Sequence, residues 1–324
     1  MDLKGIHHVT AITSSAEKNY EFFTYILGMR LVKKTVNQDD IQTYHLFFAD
    51  DVGNPGTDIT FFDFPGVPKG VHGTNDISKT SFRVPNDAAL DYWLKRFDRL
   101  EVVHEGIKEQ FGKKILPFVD FDNQQYQLIS DELDSGVASG TPWKKGPVPL
   151  KYAITGLGPA YIRISDFSQL KKALEEVLMF KEVKVEGAFH LFEVNEGGNG
   201  SSIIVEHDET LPNAKQGYGS VHHIAFRVKD RAQLVQWLKR LHDFDYRTSG
   251  HVDRFFFESL YVRIVPPILF EFATDGPGFM DDEPYETLGE KLSLPPFLEP
   301  RREEIENTVR PIDTVRSTKE FKQE

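Results

Sequence analysis

The sequence predicts an α+β fold of four βαβββ modules in tandem, and three observations predict it. The first is self-similarity. Ile224-Ala-Phe-Arg-Val-Lys-Asp-Arg-Ala-Gln-Leu-Val-Gln-Trp-Leu-Lys-Arg aligns with Thr80-Ser-Phe-Arg-Val-Pro-Asn-Asp-Ala-Ala-Leu-Asp-Tyr-Trp-Leu-Lys-Arg, so that Phe-Arg-Val and Trp-Leu-Lys-Arg recur at the same offsets. The second is that each copy opens on a short apolar run of strand character and continues into a stretch of helical periodicity. The third is that further strand-like runs follow each helix.

The first module begins at Ile6, continues as a helix over Ser15 to Gly28, and adds strands at Arg30 to Val36, Thr43 to Phe48 and Asp58 to Phe64. The turn Gly53-Asn-Pro-Gly separates the last two. The second opens at Thr80. The third is Tyr161-Ile-Arg-Ile-Ser-Asp-Phe-Ser-Gln-Leu, which keeps Arg163 and Asp166. The fourth carries Ser-Val-His-His-Ile-Ala, a helix from Arg231 to Phe244, and strands near Tyr246 to Gly250, Phe257 to Val265 and Ile268 to Ala273. Ser135 to Gly158, rich in Gly, Pro and Lys, reads as a connector. The expected division is a module pair over 1–135, a linker over 136–158, a second pair over 159–275, and a C-terminal strap and tail over 276–324. Leu294-Pro-Pro-Phe-Leu belongs to the strap, Arg301 to Val309 to a short solvated helix, and fraying is expected from about Ser317. One module alone leaves a curved sheet with an uncovered concave face, so modules must pair into barrel-like cavities.

Composition excludes several roles. A net charge of -12 over 324 residues opposes nucleic-acid binding, which rests on Lys and Arg. No apolar run approaches the roughly 18 residues of a membrane span. The start, Met-Asp-Leu-Lys-Gly, lacks the layout of a signal peptide. The absence of cysteine removes disulfides and thiolate ligands and accords with the cytoplasm.

Two histidine pairs carry the chemistry: His7-His8 in the first module and His222-His223 in the fourth. Their counterparts are Ser78 and Lys79 in the second module, and Pro159 matches His223 in the third. If both pairs serve one metal, modules one and four face each other, and modules two and three form a barrel without a metal. Strand parity lets only one His of each pair look into the cavity. His8 shares a face with Ile6 and Thr10, and His223 with Val221 and Ala225. Parity alone does not say which face is inside, so His7 and His222 stay open as ligands. Glu271, an acid among apolar residues on the last strand, supplies a carboxylate whose burial calls for a cation. Its first-module counterpart reads as Phe62, with Asp63 beside it, and Glu206 of the third module is its rival. Two imidazoles and a carboxylate form the facial set that leaves open positions on non-haem Fe(II). A lone strand His is more often a core or rim residue, and His45, His72, His104, His190, His242 and His251 are expected at the surface or in packing. His207 is a weak ligand candidate.

The repeated modules, the Gly-Ile-His-His-Val-Thr start, Tyr44-His-Leu-Phe-Phe-Ala-Asp with Pro55-Gly-Thr, and the Glu271 strand resemble the vicinal oxygen chelate superfamily, which includes the glyoxalases. More narrowly they resemble its ring-cleaving dioxygenases of the hydroquinone type, over residues 1 to about 300. The resemblance implies metal ligands at His8, His223 and Glu271, and pocket residues at His7, Thr10, His222, Arg254 and Tyr261. It also implies Fe(II), with Mn(II) as another suitable ion, dioxygen as co-substrate, and a small aromatic substrate. Arg254 would stabilise a phenolate and Tyr261 or a pocket His would transfer protons, although Arg254 and Tyr261 could equally form a plain strand-edge hydrogen bond. Homo-oligomerisation stays open. Two other functions fit the same fold: a glyoxalase-like lyase or isomerase, which usually has a second carboxylate where Phe62 is expected, and a metal-free small-molecule-binding resistance protein.

Overall fold

All four modules form in the computed structural model, which describes residues 1–319. Module one comprises β1 (Ile6–Ile12), α1 (Ala16–Glu21), β2 (Arg30–Asn37), β3 (Asp40–Ala49) and β4 (Asp58–Asp63). Module two comprises β5 (Asp76–Val84), α2 (Asp87–Arg99), β6 (Lys108–Gln110), β7 (Lys113–Val119) and β8 (Gln125–Ser130). Module three has β9 (Gly156–Ile164), α3 (Phe167–Lys172), β10 (Lys181–Glu186), β11 (Phe189–Glu193) and β12 (Ser202–His207). Module four has β13 (Ser220–Val228), α4 (Arg231–Asp243), β14 (Val252–Asp253), β15 (Phe257–Val265) and β16 (Ile268–Pro277).

The helices begin where a side chain can take up a free backbone N–H. Ser15, Asn86, Asp166 and Asp230 accept from Lys18, Ala89, Gln169 and Gln233, respectively. In modules one and three the helix closes in a wider π turn, Phe22–Ile26 and Ala173–Val177, which the sequence periodicity does not reveal. Trp93 and Trp237, matched by the repeat, are both fully buried on α2 and α4. The repeat therefore reflects equivalent packing positions.

Two curled eight-stranded sheets result. One runs β14-β15-β16-β13-β1-β4-β3-β2 and the other β10-β11-β12-β9-β5-β8-β7-β6. Modules one and four thus share a sheet, as the distribution of imidazoles predicts, and modules two and three share the second. The β1–β13 seam is antiparallel and sets the register of the site: His8 lies opposite Ala225, and Thr10 opposite His223. Every residue of β1 is buried. Val9 and Ala11 pack into the main hydrophobic cluster with Phe23, while His8 and Thr10 face the interior of the barrel.

The expected strand at Tyr246 to Gly250 does not form. Thr248 makes an isolated bridge to Val262, and pairing resumes only in the two-residue β14. The strap packs Phe279 and Leu288 against Phe47, Ala225 and Phe256. There Lys33, wholly buried, is bonded by Asp282 at 2.7 Å and by Glu283, and its ammonium lies over Phe256 at 5.0 Å. The expected terminal helix is α5 (Arg302–Thr308). At Ser317, where fraying is expected to begin, Glu290 accepts from the backbone N–H and the hydroxyl. The rest of that expectation falls on residues 320–324, outside the described residues. Among the described residues no helix is long and apolar enough to cross a membrane.

Candidate metal centre

Four neighbouring strands of the first sheet set side chains in one row. His8 on β1 lies opposite Ala225 on β13, Ala225 lies beside Glu271 on β16, and Glu271 lies opposite Tyr261 on β15. Register partners on adjacent strands point to the same face. Ala225 in the middle has almost no side chain, so His8 and Glu271 can meet above it, and His223, two residues earlier on β13, joins them. His8 Nε2 lies 3.3 Å from His223 Nε2 and 3.1 Å from Glu271 Oε2, and His223 Nε2 lies 2.8 Å from the same oxygen. All three residues are buried, and Glu271 is 0% exposed.

The hydrogen bonds behind this knot fix the His8 tautomer. His7 Nε2 donates to the Thr274 carbonyl at 3.0 Å, which leaves His7 Nδ1 as an acceptor. His8 Nδ1, 2.9 Å away, must then donate to it, and His8 Nε2 presents a lone pair to the knot. His223 Nδ1 meets His222 Nδ1 at 2.8 Å, a pair without the carbonyl anchor that orders His7 and His8. Glu271 Oε1 accepts from the Ser259 hydroxyl, whereas Glu271 Oε2 has no hydrogen-bond donor. A buried carboxylate oxygen facing an imidazole lone pair lacks a compensating charge, and a divalent cation supplies one. The residues present therefore fit a metal ion.

Electrostatics agree with that arrangement. Burial lowers the His7 and His222 imidazoles to about 3, helped by the neighbouring His8 and His223. Burial also lowers His223, although Glu271 opposes the shift. Burial raises the Glu271 carboxyl, and only positive charge at the His8 and His223 positions holds it well below the usual range, a charge that a cation supplies when the imidazoles are neutral. Asp58, in register with His8 on β4, is pushed well above its usual range by burial, with Asp50 adding to the effect.

The knot opens on a cavity of about 270 Å³. Thr10, His222, Arg254 and Tyr261 line it, with Phe47, Phe62, Phe256 and Phe257 as aromatic walls. His7 is not among the lining residues. The two pair partners therefore differ: His7 is enclosed behind His8, whereas His222 Nε2 meets no protein group among the described residues and His222 lines the cavity. Arg254 donates to Tyr261 Oη at 3.2 Å and reaches Asp39 on the β2–β3 hairpin at 3.0 Å.

Three sequence expectations are corrected here, and a fourth residue gains a place on the cavity wall. The first-module counterpart of Glu271 is Thr60 and not Phe62, because Thr10 pairs with Thr60 as Ala225 pairs with Glu271. Glu206 lies in the other sheet and is bonded by Arg163 at 2.8 Å, so it does not approach the knot. His207 is exposed and bonds Glu209 at 3.1 Å. His45, expected at the surface or in packing, stands on the cavity wall and bonds Thr60 at 2.9 Å. Its position on the same strand face as Phe47 was the available signal.

The profile of the family described as the glyoxalase/bleomycin resistance protein/dioxygenase superfamily matches residues 5–122. A Bacillus subtilis (strain 168) protein named "Putative ring-cleaving dioxygenase MhqA" is 42% identical over 96% of this chain and 100% of its own length. The chlorohydroquinone/hydroquinone 1,2-dioxygenase of Sphingobium indicum is 30% identical over 95% of this chain and 96% of its own. Among solved structures, one described as a "putative dioxygenase" from Bacillus subtilis superimposes with a TM-score of 0.89 at 35% identity, covering 97% of this chain and 99% of that one.

Proposed function

We propose, because this chain belongs to the glyoxalase/bleomycin resistance protein/dioxygenase superfamily, that it is a non-haem iron dioxygenase cleaving the ring of a hydroquinone or catechol. The observation that carries the proposal is the convergence of His8 Nε2, His223 Nε2 and the donor-free Glu271 Oε2 on one point of an aromatic-walled cavity. These three residues would hold the ion. Two imidazoles and a carboxylate suit Fe(II), and also Mn(II). When bound, the iron supplies Lewis acidity toward a phenolic oxygen and an electron path to the co-substrate dioxygen.

The chain's own residues do the rest. The Phe47, Phe62, Phe256 and Phe257 rings enclose a flat aromatic substrate and exclude water. The Arg254 guanidinium favours the ionised phenol by its charge. Burial pushes the Tyr261 hydroxyl above its ordinary range, so it stays protonated and can donate from Oη into the cavity. His222 Nε2 can exchange a proton with bound substrate. His7 acts as a positioning residue, because its bond to Thr274 determines which nitrogen of His8 is free. The name of the Sphingobium relative favours hydroquinones among the candidate substrates. The glyoxalase-like reading lacks its second carboxylate, since Thr60 occupies that position and is bonded to Thr10 and His45.

The test loads the protein with Fe(II) anaerobically, adds a panel of hydroquinones and catechols, and admits oxygen. Oxygen uptake with loss of the aromatic absorbance is expected for at least one diol. Stoichiometric iron without uptake on any of them would refute the proposal.

A further inference from the structure

We propose that His45, held by Thr60 and Thr10, is the specificity-determining residue that meets the second hydroxyl of a para-diol, an inference that rests on the ring-cleaving reading above. His45 lies on β3, and its ring is clamped between Phe47 and Phe62, with centroids 4.0 and 4.4 Å away. Nε2 is fixed by Thr60 Oγ1 at 2.9 Å, which in turn bonds Thr10 Oγ1 at 2.8 Å. Nδ1 meets no protein group among the described residues, and the residue lines the cavity. A rigid ring thus presents one polar atom between two phenylalanine rings of the wall. His45 is half-buried at the cavity wall, so a polar group in the cavity can supply the absent partner.

The register places that atom away from the metal ligands. Thr10 pairs with Thr60 across β1 and β4, and Phe62 pairs with His45 across β4 and β3. His45 is therefore two strands from β1, on the order of 10 Å of sheet at about 4.8 Å per strand. A para-diol carries its oxygens at opposite ends of the ring. One can sit at His8, His223 and Glu271 while the other reaches the β3 wall. A catechol has both oxygens on one side and leaves His45 unmet. Burial lowers the His45 imidazole well below its usual value, so it is neutral. Either neutral tautomer serves. If Nε2 donates to Thr60, Nδ1 accepts from the phenol; if Thr60 donates to Nε2, Nδ1 donates to the phenolic oxygen.

The test compares hydroquinone with 4-methylphenol, in which a methyl group replaces the distal hydroxyl, by anaerobic titration of the Fe(II)-loaded protein. The native protein should bind hydroquinone about tenfold more tightly, the effect of one well-made hydrogen bond. His45→Leu, close in volume and without polarity, should bring the two affinities together while iron content and 4-methylphenol affinity hold. Thr60→Val keeps the ring but frees it, and should give an intermediate preference; it also guards against misfolding of the first variant. An undiminished preference in both variants, or none in the native protein, would overturn the role of His45 alone. A native protein that binds neither phenol and consumes no oxygen would remove the ring-cleaving reading with it.

Discussion

Replacing Glu271 by Gln should make the metal-free protein more stable and the metal-treated protein less so. In the native chain Oε2 of Glu271 faces His8 Nε2 at 3.1 Å and His223 Nε2 at 2.8 Å without a hydrogen-bond donor, in a residue with 0% exposure. Without a cation this is an anion packed against an imidazole lone pair, and such burial costs several kcal/mol. Glutamine is nearly isosteric. Its carbonyl keeps the Ser259 bond, and its amide directs N–H groups at the imidazole nitrogens. Each hydrogen bond contributes about 1 kcal/mol net, so the metal-free variant should gain about 1 to 3 kcal/mol. The native protein instead gains about 2.7 kcal/mol when Fe(II) or Mn(II) is present at a hundred times its Kd. At roughly 2 to 4 °C per kcal/mol, both effects are visible in thermal melts. Anaerobic melts with chelator and with metal, alongside metal analysis, should show the order of stability reversing. A variant that retains one equivalent of iron and the native metal-dependent rise in Tm would show that Glu271 is not a ligand. A metal-free variant destabilised by more than about 1 kcal/mol would refute the account of an uncompensated oxygen.

Two further outcomes follow from the same geometry. Ala225→Leu puts a branched side chain between His8 and Glu271 in their shared row, so it should abolish metal binding while the fold persists; near-native iron content by metal analysis would show that the space above Ala225 is not required. Metal-free protein should lose stability as pH falls below about 6.5, because the unfolded chain protonates His45 and the folded chain, with that imidazole held low, does not. The contribution is full above pH 6.5 and declines by about 1.36 kcal/mol per pH unit below it. Urea denaturation between pH 8 and 5 should therefore show a shallower acid loss for His45→Leu, and parallel curves would mean that His45 protonates freely in the folded state.

Much of the architecture was legible because the repeat fixes equivalent packing positions, as Trp93 and Trp237 show. The pairing of modules one and four could be read from where imidazoles persist. The counterpart of Glu271 could not. Phe62 and Thr60 are two residues apart, so they share a strand face, and a slip of two preserves every feature of the alternating pattern. The register depends on how β4 pairs with β1, which the local sequence does not record. His45 was missed for a related reason. Its partners Thr60 and Phe62 come from the neighbouring strand, so a lone histidine in the sequence gave no sign of them. At Tyr246 to Gly250 local strand propensity was present, but the tertiary pairing allowed one bridge only.

The second barrel shows that the metal requirement comes from side chains and not from the backbone. Lys79 pairs with Tyr161 across the β5–β9 seam as His223 pairs with Thr10 across β1–β13. The same register makes Gln127 the counterpart of Glu271, since Gln127 lies beside Ser81 as Glu271 lies beside Ala225. There the amide of Gln127 donates to Tyr161 Oη at 2.9 Å, the hydroxyl donates to Gln110 at 2.6 Å, and Lys79 lies over the Tyr161 ring at 4.6 Å. The cavity shrinks to about 60 Å³. A neutral amide and a lysine stand where the first barrel has a carboxylate and an imidazole. With no lone pair opposed to an anion, nothing in that arrangement calls for a cation. The exchange at Gln127 is the one that Glu271→Gln would make in the first barrel, so the molecule already contains a version of the state that variant should reach.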